Sequence, residues 1–347
     1  MVRRLRLQHA VFAALAILVC LGILWRQIDI RQFGAAIKQI KGPFLLLPLT
    51  MFLLNLPLRA WRWQLIFPIA ARPSFWSCLT VLGIGNMANF LLPGRAGDLA
   101  RCALAGPDGS LAESSRTLAT LAVEKVLDGV ALVAVALFSI WTLQPPHWVV
   151  DLLRVAVLIF GGTLLFLVAL RYRTRTLIDL VRRVFCWLHL SRLEGKFDGL
   201  LTAFAEGLSA ITSAGRMLSL LLLTMAIWTT EAAMIWALAG TLGLVVKLKS
   251  AIAATSILAL GFMIPAAPGG LGTYELFGTE AFKLAGVTAS VALALTVVIH
   301  AWVFVTNVVA GIALLALKGW SLAQLRNRIA EESVADAGSE PVLRPSA

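Results

Sequence analysis

The sequence predicts an all-α polytopic membrane protein with six full spans and two broken, re-entrant helical segments. Three observations carry this prediction. Of 347 residues, 59% are hydrophobic and only 14% charged, with a mean hydropathy of +0.87, whereas soluble chains carry about 25% charged residues. Long apolar runs recur along the chain, several reaching the ~20 residues that cross ~30 Å of hydrocarbon. The basic residues, 30 against 18 acidic ones, concentrate between alternate runs.

The first run, about 8–25, follows Arg3, Arg4 and Arg6 as in a signal peptide. It ends in Trp25-Arg26-Gln27 with no small-x-small cleavage site, so it reads as an uncleaved first helix. The run 43–58 is short, and Arg59, Trp61, Arg62 and Trp63 after it read as an aromatic-basic interfacial belt. Runs at 126–143, 149–170, 217–246 and 287–317 complete the spans, while 75–93 and 250–267 end in proline and glycine. Residues 1–320 form a single membrane domain, and the polar tail 321–347 is expected to be disordered.

The net charge of +12 would raise the question of nucleic acid in a soluble protein. Here it sorts by membrane side. With both termini cytoplasmic and 75–93 and 250–267 returning to their side of entry, 22 Lys/Arg are cytoplasmic and 7 external. Were both segments to cross, everything from 94 to 249 would invert, placing the eight basic residues of 171–216 outside. That loop mixes Arg171, Arg173, Arg175, Arg182, Arg183, Arg192 and Lys196 with Leu, Val, Phe and Trp187. It reads either as amphipathic helices on anionic headgroups or as an orientation signal alone. Cys20, Cys78, Cys102 and Cys186 show no CxxC and no ligand spacing to histidine, so they read as core residues; neither metal nor cofactor is expected.

The two broken segments share a pattern. Leu92-Pro93-Gly94-Arg95-Ala96-Gly97-Asp98 and Ala267-Pro268-Gly269-Gly270-Leu271-Gly272-Thr273-Tyr274-Glu275 both contain PGxxG followed by a carboxylate. Proline removes a backbone donor and glycine permits unusual dihedrals, so both segments break their helices. In hydrocarbon a broken backbone survives only when shielded by protein or lining a wet cavity. On the charge-derived topology the first enters from the cytoplasm and the second from outside. That makes 43–143 and 217–317 an inverted repeat joined through 171–216, an architecture of many transporters.

Ionisable groups in hydrocarbon each need a partner or a cavity. Asn86, Asn89, Arg95, Asp98 and Arg101 form a first cluster, in which Asp98 is three residues from each arginine. One arginine is left in excess, suited to a phosphate oxygen or to an interfacial salt bridge. Glu124 and Asp128 share a helix face and need a basic neighbour, Arg95 or Arg101 being candidates, unless they simply begin a cytoplasmic helix end. Glu231, between Trp228 and Trp236, is either a functional carboxylate or a structural hydrogen bond to Asn or Thr, and Glu275 reads the same way. Tyr274 is a headgroup contact or an interface anchor. His300 and Asn307 share a face of the last span, and His300 reads as a hydrogen-bonded packing residue rather than a proton relay.

These residues resemble the lysylphosphatidylglycerol synthase transmembrane-region family, a flippase-like membrane domain of bacteria and archaea, over roughly 8–320. The carriers are Asn89 with Leu92 to Arg101, Glu124 with Asp128, Trp228 with Glu231, and Pro265 to Glu275. The full-length synthases carry a soluble aminoacyl-transferase domain, whereas about 30 residues follow the last span here, so aminoacyl transfer is not expected. Asp98 also stands where many relatives would carry Glu.

The resemblance implies lipid translocation in a bacterial cytoplasmic membrane, with phospholipid, glycolipid, polyprenyl-linked or hopanoid cargo left open. Arg95 and Arg101 would meet phosphate, while Asp98 and Glu275 shape or gate a cavity and Glu231 binds a cationic headgroup or a proton. No Walker motif is present. Two other readings stand beside it. One is an accessory membrane subunit with a pathway partner. The other is a lipid-modifying enzyme using Asp98, Glu124 and Asp128, for which no DxxD or HxxE pair appears nearby. A homo-oligomer also remains open.

Overall fold

A computed structural model describes residues 29–39, 42–92, 96–105, 111–143, 147–172, 214–263 and 268–319. The run 8–25, Pro93, Gly94, Arg95, Pro265, most of the basic loop 171–216 and the tail 321–347 lie outside the described residues. Within them the chain is all α-helical, with no strand. The helices are α1 Ile30–Lys38, α2 Leu46–Ile66, α3 Phe75–Leu91, α4 Ala96–Ala105 and α5 Leu111–Leu143. They continue with α6 His147–Tyr172, α7 Ala214–Thr241, α8 Leu248–Met263, α9 Thr273–Leu284 and α10 Ala289–Leu317. Asp29 caps α1, accepting from the Arg31 amide at 2.8 Å, and its own amide donates to Ser290 Oγ at 2.7 Å, tying α1 to the start of α10.

Helices α7, from Gly215, and α10 are long and apolar enough to cross a membrane. The 17 residues of α3 and 16 of α8 are shorter; at 1.5 Å per residue each spans about 25 Å, less than the ~30 Å hydrocarbon core. Each is followed by a helix that folds back on it. In the first hairpin Asn89 lies against Asp98 and Gly85 against Arg101, so α4 returns antiparallel to α3. In the second, Phe262 meets Tyr274 and Gly261 meets Phe277, so α9 returns antiparallel to α8.

The described part of the second break is made by glycines. Gly269, Gly270 and Gly272 adopt φ of 63°, 75° and 86°, a region closed to most L-residues, and Pro268–Gly270 form a single 3-10 turn. Gly97, expected as a breaking residue, has a different job: it lies inside α4. A Cβ there would fall 1.9 Å from the Gly85 carbonyl oxygen, so it lets the two arms of the hairpin touch.

The tips meet. A Cβ on Gly269 would lie 3.3 Å from the Phe90 carbonyl oxygen, and the Phe90 and Phe262 rings are 5.4 Å apart. Helices α2 and α7 run antiparallel, joined by Asn55 Nδ2 donating to the Ile227 carbonyl at 2.9 Å and to Thr230 Oγ1 at 2.8 Å. Helix α3 packs on α10, where Asn86 donates to Asn307 at 3.2 Å, and α8 packs on α5. The order helix, hairpin, long helix thus occurs twice, and each hairpin's first arm packs on the other half's long helix. The burial pattern is inside-out for a soluble protein: Arg62 and Arg101 are 0% and 1% exposed, while Leu158, Leu165 and Leu222 face outward.

Candidate functional site

A cavity of about 180 Å³ lies between the halves, lined from every helix from α2 to α10 except α6. Its polar wall includes Asn55, Arg59, Asn86, Asn89, Arg101, Glu124, Lys125, Asp128, Thr230, Glu231, Tyr274 and Asn307.

One wall is a buried charge network. Arg62, on α2, donates to both oxygens of Asp128, at 2.6 and 3.1 Å, and to Thr224 at 3.2 Å. Arg101, on α4, donates to both oxygens of Glu124 at 3.2 and 2.7 Å. Arg62 also approaches Glu124 at 3.8 Å, and Trp228 Nε1 donates to Asp128 at 3.1 Å. The Arg101 guanidinium lies 4.2 Å from the centre of the Trp63 ring, a cation–π contact. Burying a single charge costs several kcal/mol; two guanidiniums and two carboxylates in paired geometry offset one another. The network joins α2, α4, α5 and α7.

A second tier is part-exposed to the cavity. Arg59 meets Glu231 at 3.5 Å across α2 and α7, and its guanidinium lies 5.4 Å from the Trp228 ring centre. Lys125 meets Asp98 at 3.5 Å.

A third group closes the cavity at the second break. Tyr274 is buried in the wall, its ring 4.4 Å from that of His300. Behind it His300 Nδ1 contacts Glu275 Oε1. The other oxygen of Glu275 accepts from the Gly272 amide at 2.7 Å, and His300 Nε2 lies 2.9 Å from the Gly269 carbonyl oxygen.

Of the expected site residues, Asn89, Arg101, Glu124, Asp128, Glu231 and Tyr274 line one cavity. Glu275 sits one ring behind it, and Asp98 joins through Lys125. Several pairings differ from expectation. Arg101 is the basic neighbour expected as a candidate for Glu124, which takes both its terminal nitrogens and so leaves no spare cation for phosphate. Asp98 meets Lys125 and the Asn89 amide rather than Arg101, since the hairpin turns Arg101 towards α5. Glu231 pairs with Arg59 rather than with Asn or Thr. Tyr274 is interior, which removes the interface-anchor reading. Arg62, read as belt, is the network's centre. Its signal was the polar stripe Asn55, Arg59, Arg62 at i, i+4, i+7 on one face of α2.

An all-helical bundle with an apolar exterior, a charged interior and two broken hairpins meeting at a cavity has the construction of a polytopic membrane protein. The chain belongs to the lysylphosphatidylglycerol synthase TM region family, whose model matches residues 11–311. It is a multi-pass membrane protein of a lipid-related family. No individual curated protein matches it.

Proposed function

We propose that the protein moves a lipid or lipid-linked amphiphile between the leaflets of a bacterial cytoplasmic membrane. The carrying observation is that Thr230 lines both the polar cavity and a mainly apolar groove of Leu54, Pro57, Leu58, Trp61, Gln64 and Phe75. A charged headgroup in the cavity and a chain in the groove is the arrangement an amphiphile needs. In this reading both termini are cytoplasmic, six helices span, and the two hairpins re-enter from opposite sides as an inverted repeat. The twofold order of elements and the meeting hairpin tips support it.

The same geometry weighs against chemistry on the buried carboxylates. Glu124 and Asp128 each spend both oxygens on a guanidinium, which leaves neither placed for proton transfer. The part-exposed charges, Arg59 with Glu231 and Lys125 with Asp98, are the ones positioned to exchange partners with a headgroup carrying phosphate, amine or both.

Leaflet exchange of fluorescent anionic, zwitterionic, aminoacylated and polyprenyl-phosphate lipids in liposomes tests this by quencher accessibility. Glu231→Gln and Arg59→Met should each slow exchange about tenfold, the value of one charge-assisted contact. Arg154→Ala, in an exposed pair with Asp151 away from the cavity, should leave it unchanged. No exchange of any lipid by correctly inserted protein would move the assignment to the accessory-subunit reading.

A further inference from the structure

We infer that His300 and Glu275 form a binding site for one exchangeable proton, and that this proton latches the second helix break to the last long helix. The argument is hydrogen-bond accounting. His300 Nε2 lies 2.9 Å from the Gly269 carbonyl oxygen; a carbonyl only accepts, so Nε2 carries its hydrogen. The other ring nitrogen contacts Glu275 Oε1. A neutral imidazole with its hydrogen on Nε2 presents a lone pair there, and a carboxylate presents another. The contact therefore holds one proton, whether written as imidazolium with carboxylate or imidazole with carboxylic acid. Both descriptions are neutral overall.

Two further observations give the proton a mechanical consequence. The pair grips both sides of the break, because Nε2 holds the Gly269 carbonyl and Glu275 Oε2 holds the Gly272 amide at 2.7 Å. The gripped residues Gly269 and Gly272 and the intervening Gly270 all have positive φ, conformations open to glycine in particular. Loss of the proton, taken up by water, leaves a net charge of −1 and sets two acceptors against each other. The Glu275 contact opens, and of the two ties between the break and α10 only the bond from Nε2 to the Gly269 carbonyl remains.

The surroundings make this a proton site rather than an ordinary ion pair. Facing it from α9 is Tyr274, which separates the pair from the cavity. From α7, Glu231 lies within electrostatic reach of Tyr274. Helices α3 and α8 present the rings of Phe90 and Phe262. Among the described residues no lysine or arginine pairs with Glu275, so a bare carboxylate has no fixed cation to replace the proton.

Latching is read without any lipid cargo, so failure of the translocation reading would leave the test standing. Leu271, exposed between Gly270 and Gly272, is replaced by cysteine in a chain cleared of its native cysteines; Leu248→Cys, exposed at the start of α8, is the reference. Maleimide labelling is followed in nanodiscs from about pH 5 to about pH 9, and the ratio of the two rates removes the common thiolate dependence. The ratio should rise about 5-fold through a single step as the latch empties. It should be flat in Glu275→Gln, whose amide donates to His300 Nδ1 and keeps a neutral contact, and in His300→Asn, which has no ring nitrogen to share the proton. Should His300→Asn fail to fold, Glu275→Gln carries the comparison. A flat ratio with the native pair, or a retained step in either folded variant, overturns the proposal.

Discussion

Arg62 shows what the interior charges do. Its guanidinium is fully buried, and its partners come from α5 and α7. Arg62→Met should strand the Asp128 carboxylate and cost about 3–5 kcal/mol, measured as a lower unfolding temperature in detergent. Adding Asp128→Leu removes the stranded charge and should recover a large part of the loss, a coupling seen only if the two act as one unit. The sequence contained the stripe Asn55, Arg59, Arg62. It equally contained Trp61 and Trp63 at the end of a short apolar run, which match an interfacial belt. Only the positions of α5 and α7 separate those readings, and helix neighbours are not encoded in local spacing. Asp98 failed for the same reason: i, i+3 spacing permits a local pair with Arg101, but the hairpin offers Arg101 the better bidentate partner in Glu124.

At the scale of elements, the hairpins depend on glycine in two distinct ways. Gly272 supplies a φ of 86° with a ψ of −54° at the entry to α9, a region L-residues rarely adopt, so Gly272→Ala should cost about 1–3 kcal/mol. Gly97 supplies contact. A methyl group 1.9 Å from the Gly85 carbonyl oxygen forces α4 away from α3, and Gly97→Ala should cost about 1–3 kcal/mol by overpacking. Gly162→Ala in α6, where nothing lies within 4 Å, is the matched control and should bring no loss on the same thermal assay. Proline and glycine made both hairpins visible in the sequence. Whether a given glycine opens a turn or closes a helix–helix contact was not visible, because either role asks only for the absence of a side chain.

The proposed arrangement of the whole molecule turns on whether the hairpins return or cross, and the distribution of basic residues favours return. Ile69 precedes the first hairpin and Val245 the second, and both side chains are exposed, Val245 completely. If each hairpin returns to its side of entry, Ile69 is cytoplasmic and Val245 external. If both cross, the chain from 94 to 249 inverts, and Val245 joins Ile69 in the cytoplasm. Single cysteines at these positions, labelled in intact cells with a membrane-impermeant maleimide and again after permeabilisation, distinguish the two cases. Labelling of Val245→Cys in intact cells, with Ile69→Cys labelled only after permeabilisation, is the expected result. Protection of both in intact cells would make the hairpins full crossings. The halves would then have the same orientation, and the proposed inverted symmetry, by which one set of contacts can be offered to either side of the membrane, would be lost.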